Sequence, residues 1–106
     1  MKNFEIIYND ISRINQKDQA TAAERLGKFF EEGGELAKAI NKTNGRKVLK
    51  PEDTPESINQ EILDEGADSI QNVICILDGF GFTAEDVLKA IARKNEKWEL
   101  KVDGKL

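Results

Sequence analysis

The segment TPESINQEILDEGADSIQNVICILDG, running from Thr54 to Gly79, decides the fold. Thr54-Pro55 reads as a helix N-cap followed by proline at the first helical position, where a missing N–H costs nothing. Ser57 with Gln60 is an equally good start, as a capping box. From either start, Ile58, Ile62, Leu63, Ala67, Ile70, Val73, Ile74 and Leu77 recur at helical spacing as far as Gly79. The same segment carries Glu61, Asp64, Glu65, Asp68 and Asn72. At about 100° per residue these five side chains share a sector of about 100°, opposite the centre of the apolar face. The segment is therefore one long helix with an apolar side and an oxygen-rich stripe.

Working outward, the upstream sequence holds two more helical patterns. Phe4, Ile7, Tyr8, Ile11 and Ile14 define an amphipathic helix over about residues 3–16, by spacings of three and four. A second helix is expected from about 20 to 43, with Ala22, Leu26, Phe29, Leu36 and Ile40 on one side and Asn44-Gly45 ending it. Residues 44–53 form a polar loop with Arg46, Lys47 and Lys50. Downstream, Gly79-Phe80-Gly81 breaks the long helix and Thr83 caps a fourth, with Glu85 and Asp86 complementing its dipole. Val87, Leu88, Ile91 and Ala92 should face the core, and the helix should end near Trp98. Trp98, Leu100 and Val102 alternate with polar residues, which predicts a short strand or extended tail. The sum is a single all-α domain, a four-helix bundle with a short C-terminal extension.

Composition narrows the chemistry. The chain has 106 residues, enough for one domain. Its 16 basic and 20 acidic residues leave a net charge of −4, and there is no histidine. Without imidazole there is no Ser-His or Cys-His nucleophile pair and no histidine-ligated zinc. An acidic chain also lacks the basic footprint for duplex nucleic acid. Cys75 sits alone in an apolar run, as a buried, reduced thiol would. No stretch is apolar enough for a membrane span, and the N-terminus lacks a signal-peptide core, so a soluble cytoplasmic protein is expected. Any catalysis must come from carboxylates.

Two carboxylate clusters stand out. Glu31-Glu32-Gly33-Gly34-Glu35 lies inside the second helix, with Glu32 and Glu35 neighbours at i, i+3. Solvated helix faces usually mix charge signs, and Lys28 and Lys38 do flank this motif. The third helix instead places Glu61 over Glu65 and Asp64 over Asp68, like-charged pairs with no basic residue on the stripe. Adjacent glycines within a helix cost about 1 kcal/mol each relative to alanine, which is tolerated where a backbone or ligand must come close. Pairing the two helices there would bring four carboxylates together, a repulsion that a divalent cation relieves. An all-oxygen ligand set favours Mg²⁺ or Mn²⁺, and Mg²⁺ held by carboxylates commonly shares substrate phosphates.

Glu31, Glu32 and Glu35 on one helix, followed by Glu65 and Asp68 on the next, resemble the MazG-like family of all-α nucleoside triphosphate pyrophosphohydrolases. The stretch Arg13 to Asp18 and the segment Lys94-Asn95-Glu96-Lys97-Trp98 are similar to the corresponding parts of small phage and bacterial members, so the resemblance spans about residues 13–98. It implies Mg²⁺-dependent hydrolysis of a nucleoside triphosphate to the monophosphate and pyrophosphate, with nucleotide-pool cleansing as the role. Glu32, Glu35, Glu65 and Asp68 would hold the metal, and Glu31 would orient or deprotonate the attacking water. Lys94, Asn95, Asn72 and Trp98 would contact the nucleotide. A different outcome is a silent helical interaction module that keeps the acidic motif without turnover. One copy would leave the metal cleft poorly walled and the third helix incompletely covered, so a homodimer or homotetramer is expected, its site completed by a neighbouring subunit.

Overall fold

The computed structural model describes residues 2–105 and consists of four helices: α1 (Lys2–Asp18), α2 (Ala22–Thr43), α3 (Pro55–Gly79) and α4 (Ala84–Val102). There is no strand among the described residues. Three of the four helix starts are built the same way. Thr21, Thr54 and Thr83 each accept a hydrogen bond from the backbone three residues on, and Glu24, Ser57 and Asp86 return it. Ser57 is thus the reciprocal partner of Thr54 rather than a second start, and Pro55 opens the helix as its position predicts.

The turns follow equally local rules. α3 ends at Gly79, and Gly81 supplies the left-handed turn (φ 88°) from which the chain enters α4. α2 ends at Thr43, and the left-handed residue there is Gly45 (φ 75°) rather than Asn44. The expected extended tail is not formed. α4 continues through Trp98 and Leu100 to Val102, because nothing in 98–102 breaks a helix before Gly104 turns left-handed at φ 71°. Trp98 and Val102 are four residues apart, which is a helical spacing as well as part of an alternation.

α2 and α3 pack as an antiparallel hairpin, the most extensive contact in the chain, joined by the loop 44–54. Lys42 near the end of α2 meets Glu61 near the start of α3, whereas Glu32 meets Glu65 and Asp68 further along. α1 runs along the far end of α3: Ser12 donates to Asp78 at 2.6 Å, and the Asn15 side chain donates to the Cys75 carbonyl at 3.1 Å and to Asp78 at 3.0 Å. The small apolar core lies there, where Tyr8, Ile74 and Ala84 bring α1, α3 and the first turn of α4 together, flanked by Phe4, Ile11 and Val87. Tyr8 also donates its hydroxyl to the Phe82 carbonyl at 2.6 Å, tying α1 to the α3–α4 turn.

Several positions expected in the core are not covered. Ile7 and Ile14 on α1, Leu26 and Ile40 on α2, Leu63 and Ile70 on α3, and Ile91 on α4 are all exposed. The periodicity was that of amphipathic helices, but one chain supplies partners for only part of each apolar face.

Candidate metal centre on the α2–α3 hairpin

The acidic side of α3 does not point away from the protein. It is the side that α2 packs against, so the stripe becomes a polar seam between two helices. At the loop end of this seam Lys42 donates to Glu61 at 3.0 Å and to Asp53 at 3.3 Å, with the lysine and Asp53 nearly buried. Asp53 also accepts from the Lys50 backbone at 2.8 Å, which holds its carboxyl below the usual carboxylate range. The hydrogen bond to Glu61 raises the Lys42 amine above its ordinary value, so Lys42 and Asp53 face each other as ions at neutral pH. Glu61 therefore has a basic partner after all, on the opposite helix. Asp64 is an exposed neighbour of Gln60, which donates to it at 2.9 Å.

Further along the seam, no ion pair among the described residues engages Glu32, Glu65 or Asp68. Glu32, Glu65 and Asp68 each offer a carboxylate oxygen, and the three oxygens lie within 4.8 Å of one another. Glu32 and Glu65 are half-buried and Asp68 is exposed, so the cluster opens to solvent on one side. Glu65 Oε2 is buried with no donor to satisfy it. Its carboxyl is pushed up to about 7, first by the proton it shares with Glu32, then by burial and by the negative charges of Glu32, Asp68 and Glu35. At neutral pH the cluster thus holds roughly half a proton on average.

The remaining positions divide clearly. Glu35 is close enough to repel Glu65, but its own carboxylate accepts from Lys38 at 3.2 Å and lies outside the three-oxygen group. Glu31 faces solvent beside Lys28 at 3.4 Å and is likewise outside it. Asn72, one turn past Asp68, is buried and its amide donates to the Asp68 carbonyl at 3.0 Å. Lys94, Asn95 and Trp98 are exposed on α4, which packs on α1 by its N-terminal end, and no hydrogen bond or ion pair among the described residues links Lys94 or Asn95 to the cluster. Gly33 and Gly34 lie in open space: a Cβ at either would meet nothing within 4 Å, so no backbone of this chain explains them.

Sequence reasoning missed two polar knots. One is Lys42 with Asp53 and Glu61. The other is Arg25, which donates to Asn15 at 3.1 Å and pairs with Asp18, closing the α1–α2 corner. Both join residues across a loop, where helical spacing carries no signal. Cys75 conforms to expectation, since burial pushes its thiol up and away from reactivity.

The chain is 36% identical over 75 residues to the uncharacterized protein YvdC of Bacillus subtilis, a match covering 69% of this chain and 71% of the relative. No family profile matches the chain, and no solved structure matches it.

Proposed function

We propose that this chain, which belongs to the family of the Bacillus subtilis protein YvdC, is a Mg²⁺-dependent nucleoside triphosphate pyrophosphohydrolase. One observation carries the reading: three carboxylate oxygens from two helices gather within 4.8 Å around a buried Glu65 oxygen that has no donor. A helix hairpin gains nothing from such a group by itself. A hard divalent cation fits it, because the donor set is all oxygen and the negative charge is otherwise unbalanced. Glu32, Glu65 and Asp68 would hold the ion, with Glu35 as a further ligand once released from Lys38. Mg²⁺, or Mn²⁺ in its place, would supply charge neutralisation at the triphosphate.

The protein's own groups account for the rest of the proposed reaction. Glu31, exposed and next to Glu32 in the chain, orients the water and takes its proton as the oxygen attacks the α-phosphorus. The bond from that phosphorus to the bridging oxygen breaks, and the oxygen leaves with pyrophosphate. Asn72 anchors the helix turn that carries Asp68 through the Asp68 carbonyl. Lys94, Asn95 and Trp98, exposed on α4, are the groups that the family resemblance assigns to the nucleotide.

A panel of canonical and modified nucleoside triphosphates with Mg²⁺, assayed for pyrophosphate, tests this reading. Turnover of at least one nucleotide is expected, with Glu32→Gln and Asp68→Asn each losing about a hundredfold or more. Absence of pyrophosphate across the panel, or turnover unaffected by both substitutions, would overturn it in favour of a silent interaction module.

A further inference from the structure

The carboxylate cluster borders one particular side of the hairpin. At about 100° per residue, Glu31 lies about 100° around α2 from Glu32, and Asp68 about 60° around α3 from Glu65. The two offsets have the same rotational sense, which in an antiparallel pair puts both residues on one side. α1 occupies that side as well: Cys75 and Asp78, which it meets, are offset from Glu65 by about 80° and 140° in the same sense. Between the end of α1 and the first turns of α2 lies an open cavity of about 570 Å³. That is the size of a small-molecule site. Asp18, Glu24, Arg25, Gly27, Lys28 and Glu31 line it, and Asn72, Lys94, Asn95 and Trp98 do not.

Glu31 joins the cavity to the cluster, since it lines the one and is the chain neighbour of Glu32 in the other. From Glu31 the cavity reaches back two turns of α2 to Glu24, about 10 Å at the helical rise. Its polar groups are mixed in sign. Asp18 pairs with Arg25 and Glu31 with Lys28, while Glu24 caps its helix. Each of the two pairs leaves an acceptor free: Asp18 Oδ1 and Glu31 Oε1 make no hydrogen bond among the described residues. Arg25 Nε is a buried donor without an acceptor. Three carboxylates against two cations make the cavity a poor host for a phosphate chain. It suits an uncharged ligand that carries donors and acceptors together. Gly27 leaves the room: a Cβ there would meet nothing within 4 Å, so the chain's own packing does not require glycine.

We infer that this cavity at the α1–α2 corner receives the nucleoside of the triphosphate. The identity of the ligand rests on the proposed reaction, whereas its placement rests on the cavity. With the phosphates gathered at Glu32, Glu65 and Asp68 and the nucleoside in the corner, the α-phosphorus that joins them falls beside Glu31, the residue proposed to orient the water. Asp18 accepts from the amino group of a base, and Lys28 donates to a ring nitrogen or carbonyl. Glu31 keeps a free oxygen for the water.

Nucleoside binding is read without metal or turnover. In two-dimensional NMR of the Mg²⁺-free protein, the Gly27 and Lys28 amides should shift saturably with at least one of adenosine, cytidine and guanosine. Gly27→Met puts a side chain into the cavity. It should melt no lower than the parent, because glycine is a poor helix former. It should nevertheless bind the nucleoside at least tenfold more weakly and raise KM for the triphosphate by a similar factor. Gly27→Ala, which adds only a methyl group, should bind much as the parent does. No saturable shift with any of the three nucleosides would overturn the inference, as would a folded Gly27→Met protein that binds like the parent. Failure of every nucleotide to release pyrophosphate, with the nucleoside shifts intact, would instead sink the proposed reaction and leave the corner a nucleoside site.

Discussion

Glu65 is the residue at which stability and proposed chemistry meet. Its carboxyl titrates near 7 in the fold, against 4.5 ordinarily, so between those values the folded state holds a proton that the unfolded chain has lost. The metal-free protein should therefore lose stability as pH rises from about 4.5 through about 7. Thermal unfolding at pH 5 and pH 8 without divalent ions measures this, and Glu65→Gln should flatten the difference while abolishing Mg²⁺-induced stabilisation at pH 8. With the parent protein, Mg²⁺ should raise the melting temperature more at pH 8 than at pH 5, because ligation displaces the shared proton. The carboxylate stripe of α3 was legible from helical spacing, but Glu32, Glu65 and Asp68 were picked out of the acidic residues by the family resemblance and not by the spacing. The release of Glu31 and Glu35 to separate lysines was half legible: Lys28 and Lys38 stand three residues away, but spacing does not say which carboxylates stay free. The neutralisation of Glu61 was not legible, because Lys42 reaches it from another helix.

At the scale of elements, local chemistry sets the boundaries. Thr83→Ala removes a side-chain cap and should cost about 1 kcal/mol, a fall of about 4–8 °C in Tm. Gln19, between α1 and α2, adopts the left-handed conformation at φ 61°. Gln19→Gly should stabilise the protein by about 1 kcal/mol in denaturant unfolding, by relieving a strain that glycine does not feel. Lys42→Met should lower the melting temperature, since it leaves Asp53 and Glu61 without their shared cation and loosens the loop 44–54. The starts of α3 and α4 were readable because a capping threonine and a proline act within one turn. The end of α4 was not: alternation at Trp98, Leu100 and Val102 fits either period, and helical continuity from Lys94 decided between them.

At the scale of the whole molecule, the sequence displays four amphipathic faces but not which of them one chain covers. Leu26 and Phe29 carry similar hydrophobic signals, yet Phe29 is half-buried and Leu26 exposed. That distinction depends on the direction from which α3 arrives. No described helix is long and apolar enough to cross a membrane, so the exposed apolar surface is not that of a spanning segment. The two carboxylate-bearing helices are consecutive, joined by a short loop, whereas the bond from Tyr8 to the Phe82 carbonyl joins positions 74 apart. Contacts close in sequence form first, because loop closure costs them less entropy. The α2–α3 hairpin, with the carboxylate cluster already in it, should thus appear in the folding transition state ahead of the docking of α1. Substitutions along the seam would then slow folding, and Tyr8→Phe would chiefly speed unfolding.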